Sequence, residues 1–302
     1  MRSPFRFRTI LAALAVSALL LAAWVGVSIL TLPSVAPLAR PGASMTITVK
    51  DWHRKDHRFV VGPRNPRWTP YRAIPAALKK AVVASEDANF YSHEGVDYEA
   101  IGEAIKTDWR KGKFVHGGST ITQQLAKNLF LTREKTLIRK VKEFVLARRM
   151  DNALSKSRIL ELYLNVVELG PMVYGVGHAS HYYFGKPPSA LTVRECAFLA
   201  SMLPGPKIYN PYRKMGRVMK RSDRILRRMV AARMISREEY DAALSEVPNL
   251  AGLARKVEKT LETPPPEEAP GGGPAVIDPS LPLESPQPGT AEDSAPERPD
   301  AD

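Results

Sequence analysis

The sequence contains a single cysteine in 302 residues, so no disulfide can form within the chain. That residue, Cys196, lies in the apolar stretch RECAFLASML, which is typical of a small side chain in a packed core. The sequence also lacks internal repeats and shows no alternation of strand and helix patterns. These absences argue against a disulfide-stapled scaffold, a repeat protein and a doubly wound α/β fold.

Acidic residues are scarce before residue 261. From Leu261 to the end there are ten acidic residues and one basic residue, Arg298, so this segment carries −9. Because the whole chain has a formal net charge of +13, the first 260 residues carry +22. Such an excess indicates an anionic partner, which can be a nucleic acid, a lipid headgroup surface or a phosphorylated substrate.

Residues 10–32, ILAALAVSALLLAAWVGVSILTL, form an uncharged run of 23 residues. A helix of that length crosses a hydrocarbon core of about 30 Å. Arg2, Arg6 and Arg8 precede the run, which predicts a cytoplasmic N-terminus for residues 1–9 and an extracytoplasmic location for the rest. The alternative is a cleavable signal peptide, but its apolar core is normally shorter and no good small-x-small cleavage site follows Leu32. We therefore expect a transmembrane signal anchor.

Three further regions follow the anchor. Residues 33–70 form a membrane-proximal segment with two predicted strands, MTITV at 45–49 and RFVVG at 58–62. His53 and His57 lie close together there, but the glutamate of a zinc-binding HExxH helix is missing and we predict no metal site. Residues 71–246 show helical periodicity almost throughout, which predicts a mainly α domain. Residues 247–302 are rich in proline and acidic residues, a composition typical of disorder.

Glu86 and Asp87 stand side by side where the helical pattern of IPAALKKAVVA ends. A carboxylate at the C-terminal pole of a helix faces partial negative charge, which raises its pKa and makes it a better proton acceptor. Two exposed acids at a solvated helix end are the alternative interpretation. His93, a few residues later, fits a hydrogen-bonded loop residue better than a second base.

A second polar cluster is HGGSTITQQLAKN at 116–128. Two glycines precede a Ser/Thr cap, and the free amides of the helix that follows suit an anion or a polar ligand. Thr120, Gln124 and Lys127 fall on one face of that helix. A solvated polar face is the alternative.

The third cluster is RKVKE at 139–143, in which Arg139 and Lys140 share a helix face with Glu143. Exposed ion pairs of this spacing contribute only about 0.3–0.5 kcal/mol. The same cations beside a carboxylate also fit a clamp for a diphosphate.

Taken together and in order, five segments resemble the bacterial peptidoglycan glycosyltransferases of family 51, the murein polymerases. The segments are EDANFYSHEGVD (86–97), GGSTITQQLAKN (117–128), RKVKE (139–143), KSRILELYLN (156–165) and ECAFLASMLPGPKIYNP (195–211). The resemblance covers about residues 71–244. It implies a lysozyme-like helical domain tethered to the membrane. Such a domain polymerises lipid II with inversion at MurNAc C1 and releases undecaprenyl diphosphate.

The resemblance also implies roles for individual residues. Glu86 would take the proton from the acceptor's 4-hydroxyl group, and Glu143 would assist on the leaving-group side. The other matching positions would bind substrate: Ser119, Thr120, Gln123 and Gln124 at the sugar sites, Lys127, Lys135, Arg139 and Lys140 at the diphosphate, and Tyr163 and Asn165 in the fourth segment.

Further expectations concern partners and location. We expect an inner-membrane protein with a periplasmic catalytic domain, which acts on lipid II and the growing glycan chain and has other cell-wall synthases as candidate partners. Nucleic acid is not expected as a partner. The resemblance implies that no cofactor is required, although Mg or Mn stimulates some members of the family. The sequence contains neither SxxK nor KTG, so we expect a monofunctional enzyme without a transpeptidase domain. The alternatives are a lysozyme-like glycan-cleaving enzyme and an inactive wall-synthesis scaffold.

Overall fold

The computed structural model describes residues 4–40, 42–51, 53, 55–112, 118–132, 134, 136–203, 205 and 208–250. Its first helix, α1, spans Pro4–Leu30. Within α1, the 19 residues Ala12–Leu30 are long and apolar enough to cross a membrane, and none of that window is buried against the rest of the chain. The helix overlaps the predicted anchor. The predicted disordered segment lies outside the described residues from residue 251 onward.

A β-hairpin follows α1. Strand β1, Met45–Lys50, pairs antiparallel with β2, Asp56–Val61, so that Met45 lies opposite Val61. Ile47 and Val49 are buried on one face, as the two-residue period of a strand requires. His57 is held by Asp51, with 2.9 Å between Nε2 and Oδ2. Among the described residues, no group of three or more His, Cys, Asp or Glu side chains is placed to hold a metal ion.

Nine further α-helices dominate the rest of the described chain, which confirms the predicted mainly α class. They are α2 Ala76–Glu86, α3 Tyr98–Lys111, α4 Ile121–Phe130, α5 Leu137–Ala153, α6 Lys156–Val166, α7 Val176–Phe184, α8 Val193–Ser201, α9 Pro211–Ala231 and α10 Arg237–Ser245. A second, short hairpin of β3, Glu168–Gly170, and β4, Val173–Tyr174, separates α6 from α7.

Hydroxyl side chains set where five of these helices begin. At each start, a Ser or Thr oxygen accepts a hydrogen bond from the backbone amide three residues later, which satisfies an otherwise unpaired donor. The five N-caps are Thr120, Thr136, Ser155, Thr192 and Ser236. At Thr120, Thr192 and Ser236 the third residue, Gln or Glu, bonds back to the cap and completes a capping box.

The core is built around α2 and α4. Helix α2 packs against α8 and α9, and α4 packs against α5 and α6. Leu78 of α2, Leu125 of α4 and Phe198 of α8 are almost fully buried. Cys196 is also fully buried, and burial raises the pKa of its thiol, as expected for an inert core side chain. The packing fixes the end of α2 and the beginning of α4, which carry the site described below.

Asn165, near the end of α6, fastens a distant segment to the core. Its buried side-chain amide donates to Thr69 O and Glu161 O, both at 2.8 Å, and its Oδ1 accepts from Thr69 N at 2.8 Å. The sequence placed Asn165 among the substrate-binding residues, whereas these contacts engage its polar atoms with backbone groups. The side chain therefore holds residues 67–70 against α6.

We predict that Asn165→Ala destabilises the domain by about 3 kcal/mol, because the buried N–H and C=O of Thr69 lose their partner together. Denaturant unfolding of the two proteins measures this difference. An unfolding free energy equal to that of the wild type would contradict the role given to the amide.

A glycine in α7 faces the same segment. A Cβ atom at Gly177 would lie 2.1 Å from Arg67 O and 2.8 Å from Thr69 Oγ1. The nearer atom belongs to the backbone, which Asn165 holds in place through Thr69. Close packing of α7 on this segment therefore requires glycine.

We predict that Gly177→Ala destabilises the domain by about 2 kcal/mol or more, although alanine favours a helix by about 1 kcal/mol over glycine. Gly102→Ala in α3 is the matched control, since a Cβ there meets nothing within 4 Å. The control is expected to be neutral or stabilising in thermal unfolding. An equal fall in the unfolding temperature of both variants would show that the contact with Arg67 O is not what destabilises Gly177→Ala.

Candidate active site

Glu86 is the last residue of α2, and its side chain is only 9% exposed. Gln124 of α4 donates through Nε2 to Glu86 Oε2 at 3.1 Å. Arg221 of α9 lies on the other side, with Nη2 at 3.4 Å from Oε1. The carboxylate is thus enclosed and held by two helices besides its own, which does not fit a solvated helix end.

The pKa of Glu86 reflects opposing effects. Burial raises the pKa, because it disfavours the charged form. The hydrogen bond from Gln124 and the positive charges of Arg221, Lys127 and Arg228 lower it in part. The outcome is a pKa above the ordinary value of a glutamate, which strengthens the carboxylate as a proton acceptor.

Tyr163 of α6 lies behind Gln124 and is fully buried. Its hydroxyl group donates to Gln124 Oε1 at 2.9 Å. Burial, with the nearby charges of Glu86 and Asp87, raises the pKa of Tyr163 well above its ordinary value, so the phenol stays protonated and acts as a donor. Because the carbonyl of Gln124 faces Tyr163, its NH₂ group faces Glu86.

Asp87, next to Glu86, has a different task. Its Oδ2 accepts a hydrogen bond from Ile121 N at 2.9 Å, and His93 Nε2 lies 2.9 Å from its Oδ1. The sequence predicted amides free for a ligand at the start of α4; this prediction needs correction, since the Asp87 carboxylate occupies the first of them. A protein anion therefore satisfies this helix N-terminus. His93 is a hydrogen-bonded loop residue, as expected.

Thr120 and Gln123 build the same helix start. Gln123 N donates to Thr120 Oγ1 at 3.1 Å, and Thr120 N donates to Gln123 Oε1 at 3.0 Å. Thr120 Oγ1 also donates to Gly95 O at 2.7 Å, and both side chains are buried. Ser119 is more open and accepts from Lys140 Nζ at 2.7 Å.

Glu143 of α5 organises two cations. Its side chain is only 4% exposed, Arg139 Nη1 donates to Oε2 at 2.6 Å, and Lys140 Nζ donates to Oε1. Lys140 is 45% exposed, and the buried Nε of Arg139 has no hydrogen-bond partner in the described part of the chain. The buried carboxylate of Glu143 thus orders both cations, and both keep N–H groups that can donate to a ligand. The cluster therefore differs from an exposed ion pair.

Helix α4 joins the two halves of the site. Ser119, just before its N-cap, contacts Lys140, and Gln124 contacts Glu86. Gln124 lies four residues after Thr120, which is about 6 Å along a helix axis. The base candidate and the cations are therefore separated by a short length of one helix.

The sequence also assigned Lys127 and Lys135 to the diphosphate, and it did not identify Arg221. Lys127 is exposed on α4, and its charge acts on Glu86. Lys135 lies outside the described residues. Arg221 was missed, because it lies ten residues beyond the fifth segment in a helix where the sequence shows only amphipathic periodicity. Its side chain packs over the Tyr209 ring, with the guanidinium carbon 5.2 Å from the centroid.

Comparisons with known proteins identify the family of this chain. The family model described as Transglycosylase matches residues 55–230, which contain Glu86, Gln124, Glu143 and Arg221. The biosynthetic peptidoglycan transglycosylase of Herminiimonas arsenicoxydans is 46% identical over 181 residues, which cover 58% of this chain and 78% of that protein. Its counterpart in Paraburkholderia xenovorans is 48% identical over 167 residues, or 55% of this chain and 70% of that protein.

A third relative is larger. Penicillin-binding protein 1A of Aquifex aeolicus is 46% identical over 173 residues, which cover 57% of this chain and 24% of that protein. The expected lysozyme-like helical fold is confirmed by the family match. By the extent of that match, the chain belongs to the transglycosylase family.

Proposed function

We propose that the protein is a peptidoglycan glycosyltransferase that polymerises lipid II, a GlcNAc-MurNAc-pentapeptide on undecaprenyl diphosphate, into glycan strands. The observation that carries this proposal is the pairing of one buried carboxylate, Glu86, with cations ordered by a second, Glu143. The names of the relatives support peptidoglycan synthesis.

Glu86 is the base in this reaction. It takes the proton from the 4-hydroxyl group of the acceptor's GlcNAc, and that oxygen forms a bond to C1 of the donor's MurNAc. The bond between C1 and the diphosphate oxygen breaks, and its electron pair leaves with undecaprenyl diphosphate. Because attack and departure occur on opposite faces, the configuration at C1 inverts from α to β.

Arg139 and Lys140 bind the departing diphosphate, and Glu143 keeps them in place. Fixed cations stabilise the charge that develops on the leaving group. Lys127 adds charge from α4, and the proposal extends to Lys135 as well. Mg or Mn stimulation would act through the same diphosphate.

This arrangement favours transfer over cleavage of finished glycan. A lysozyme-type enzyme protonates a poor leaving group, so it needs a carboxylic acid beside a second carboxylate that acts as nucleophile or base. The carboxylate next to Glu86 is Asp87, which is bound to Ile121 N and His93. A scaffold, in turn, has no use for a buried glutamate with a raised pKa.

The substrate-binding residues divide into two groups in this proposal. Ser119, beside Lys140, contacts substrate directly. Thr120, Gln123 and Asn165 act by holding the backbone, because their side chains are buried and bonded within the protein.

The proposed location is the extracytoplasmic side of the bacterial inner membrane. Arg149 of α5 donates to Ile29 O near the end of α1 at 3.4 Å, and Glu143 lies six residues earlier on α5, about 9 Å along the axis. Trp109 and Leu137 are each 88% exposed and are suited to contact lipid. Leu129, by contrast, is buried. Contacts with other cell-wall synthases are part of the proposal, without an assigned surface.

We predict that Glu86→Gln abolishes polymer formation from labelled lipid II, with a loss of about a hundredfold or more. The folded-state pKa is raised, so the stability contributed by Glu86 is lost as the pH rises through that pKa. The neutral amide avoids this loss, and the variant should unfold at the wild-type temperature or above it at neutral pH.

The same assay separates the candidate functions. Long glycan products support the polymerase, shortened glycan supports a cleaving enzyme, and the absence of turnover by the wild type supports a scaffold. Glu86→Gln protein that keeps more than a few per cent of wild-type polymerisation would remove Glu86 as the base.

We predict that Lys140→Ala weakens binding of lipid II about tenfold, because one charge-assisted contact to the diphosphate is lost. Binding is measured in the Glu86→Gln background, so that turnover does not interfere. Lys142→Ala is the matched control, since it removes the same charge from the same helix without touching Glu143. Equal affinities of the two variants would argue against the clamp.

A further inference from the structure

We propose that Tyr163 and Gln124 form a positioning relay for Glu86, which fixes Oε2 and leaves Oε1 as the oxygen that accepts the proton. This inference rests on the proposed function, since it takes Glu86 to be the base. It assigns both residues to the base, whereas the sequence suggested that they bind substrate.

The relay runs through one amide group. Tyr163 OH donates to Gln124 Oε1 at 2.9 Å, and Gln124 Nε2 donates to Glu86 Oε2 at 3.1 Å. A hydroxyl donor on the carbonyl fixes the orientation of the amide, so its NH₂ group can only face the carboxylate. The hydrogen bond in turn holds the rotation of the Glu86 side chain at the end of α2.

The two carboxylate oxygens are held unequally. Oε2 has the direct hydrogen bond from Gln124, whereas Oε1 has the longer 3.4 Å contact with Arg221 Nη2. A carboxylate oxygen can accept two hydrogen bonds. A sugar hydroxyl can therefore approach Oε1, which has only the longer contact, without breaking the relay. The charge of Arg221 lowers the pKa of the carboxyl group against the effect of burial.

Burial separates this role from direct sugar contact. Tyr163 is fully buried and its hydroxyl group is engaged, so substrate cannot reach it without disrupting α6. Its influence on the reaction has to pass through Gln124. Tyr163 is therefore a positioning residue. Gln124 is assigned the same role because its amide joins Tyr163 to Glu86, and this role has consequences for the pH profile that a sugar contact does not have.

We expect Gln124→Leu to lower kcat for lipid II polymerisation about tenfold to a hundredfold with little change in KM. The acid limb of the profile of kcat/KM against pH should move to higher pH, because the variant loses a hydrogen bond that favours the ionised carboxylate. Tyr163→Phe should act in the same direction and more weakly, since the amide is then free to rotate.

The double variant tests whether the two residues act in series. If Tyr163 works through Gln124, adding Tyr163→Phe to Gln124→Leu should move the acid limb no further. Additive shifts would contradict the relay. A rise in KM with an unmoved acid limb would overturn it in favour of sugar binding.

Tyr183→Phe is the matched control. Tyr183 is also a buried tyrosine, and its hydroxyl group donates to Leu169 O at 2.9 Å. The control loses a comparable hydrogen bond and some stability, but its acid limb should stay in place. An equal movement of the acid limb in Tyr183→Phe would show that the movement in Tyr163→Phe comes from a general loss of stability.

A second readout is independent of turnover. In protein with ¹³C-labelled glutamate carboxyl groups, the Glu86 signal is the one missing from Glu86→Gln, and its titration should move to higher pH in Gln124→Leu. A moved titration in Gln124→Leu, together with a wild-type protein that makes no polymer, would keep the link between Gln124 and Glu86 and refute the polymerase. Polymer formation with an unmoved titration would refute the relay alone.

Discussion

The site depends on keeping a carboxylate charged where little water can reach it. Burial alone would favour the protonated form of Glu86, which cannot act as a base. The amide of Gln124 and the guanidinium of Arg221 offset this tendency from opposite sides. Glu86, Gln124 and Arg221 come from α2, α4 and α9, and Tyr163 of α6 lies behind Gln124. The packing of these four helices therefore brings their polar side chains together.

The start of α4 has the densest set of contacts around that point. Thr120 and Gln123 cap the helix, Asp87 satisfies its first amide, and Gln124 contacts Glu86 one turn later. Most of the polar side chains at the start of α4 are thus engaged in hydrogen bonds within the protein, and fewer of them are exposed than the composition suggests. Its polarity reflects what is needed to begin a helix beside a buried charge.

Local patterns in the sequence predicted most of the elements. The hairpin of β1 and β2 follows the predicted strands, and the Ser/Thr cap predicted at the start of α4 is Thr120. The apolar pattern of SKSRILELYLNVVEL, residues 155–169, has helical periodicity up to Leu169, but α6 ends at Val166 and β3 begins at Glu168. Periodicity could not separate a helix end from a short strand, because both are apolar here.

Contacts between distant residues were beyond such patterns. Asn165 and Thr69 are 96 residues apart, and Arg221 and Glu86 are 135 residues apart. Helix α9 offers many cations at helical spacing, and only the packing of α9 on α2 determines which of them reaches the carboxylate. The base could be proposed from its position at a helix end, whereas its partners required the tertiary structure.

The order of the two neighbouring acids has a consequence of its own. One peptide unit joins a side chain that turns towards Gln124 to a side chain that ties down Ile121. Reversing the pair would preserve composition and net charge. It would nevertheless put a glutamate where the aspartate now accepts from Ile121 N, and an aspartate where the longer glutamate now reaches Gln124. The difference of one methylene between the two side chains therefore decides which of them binds the first amide of α4 and which contacts Gln124.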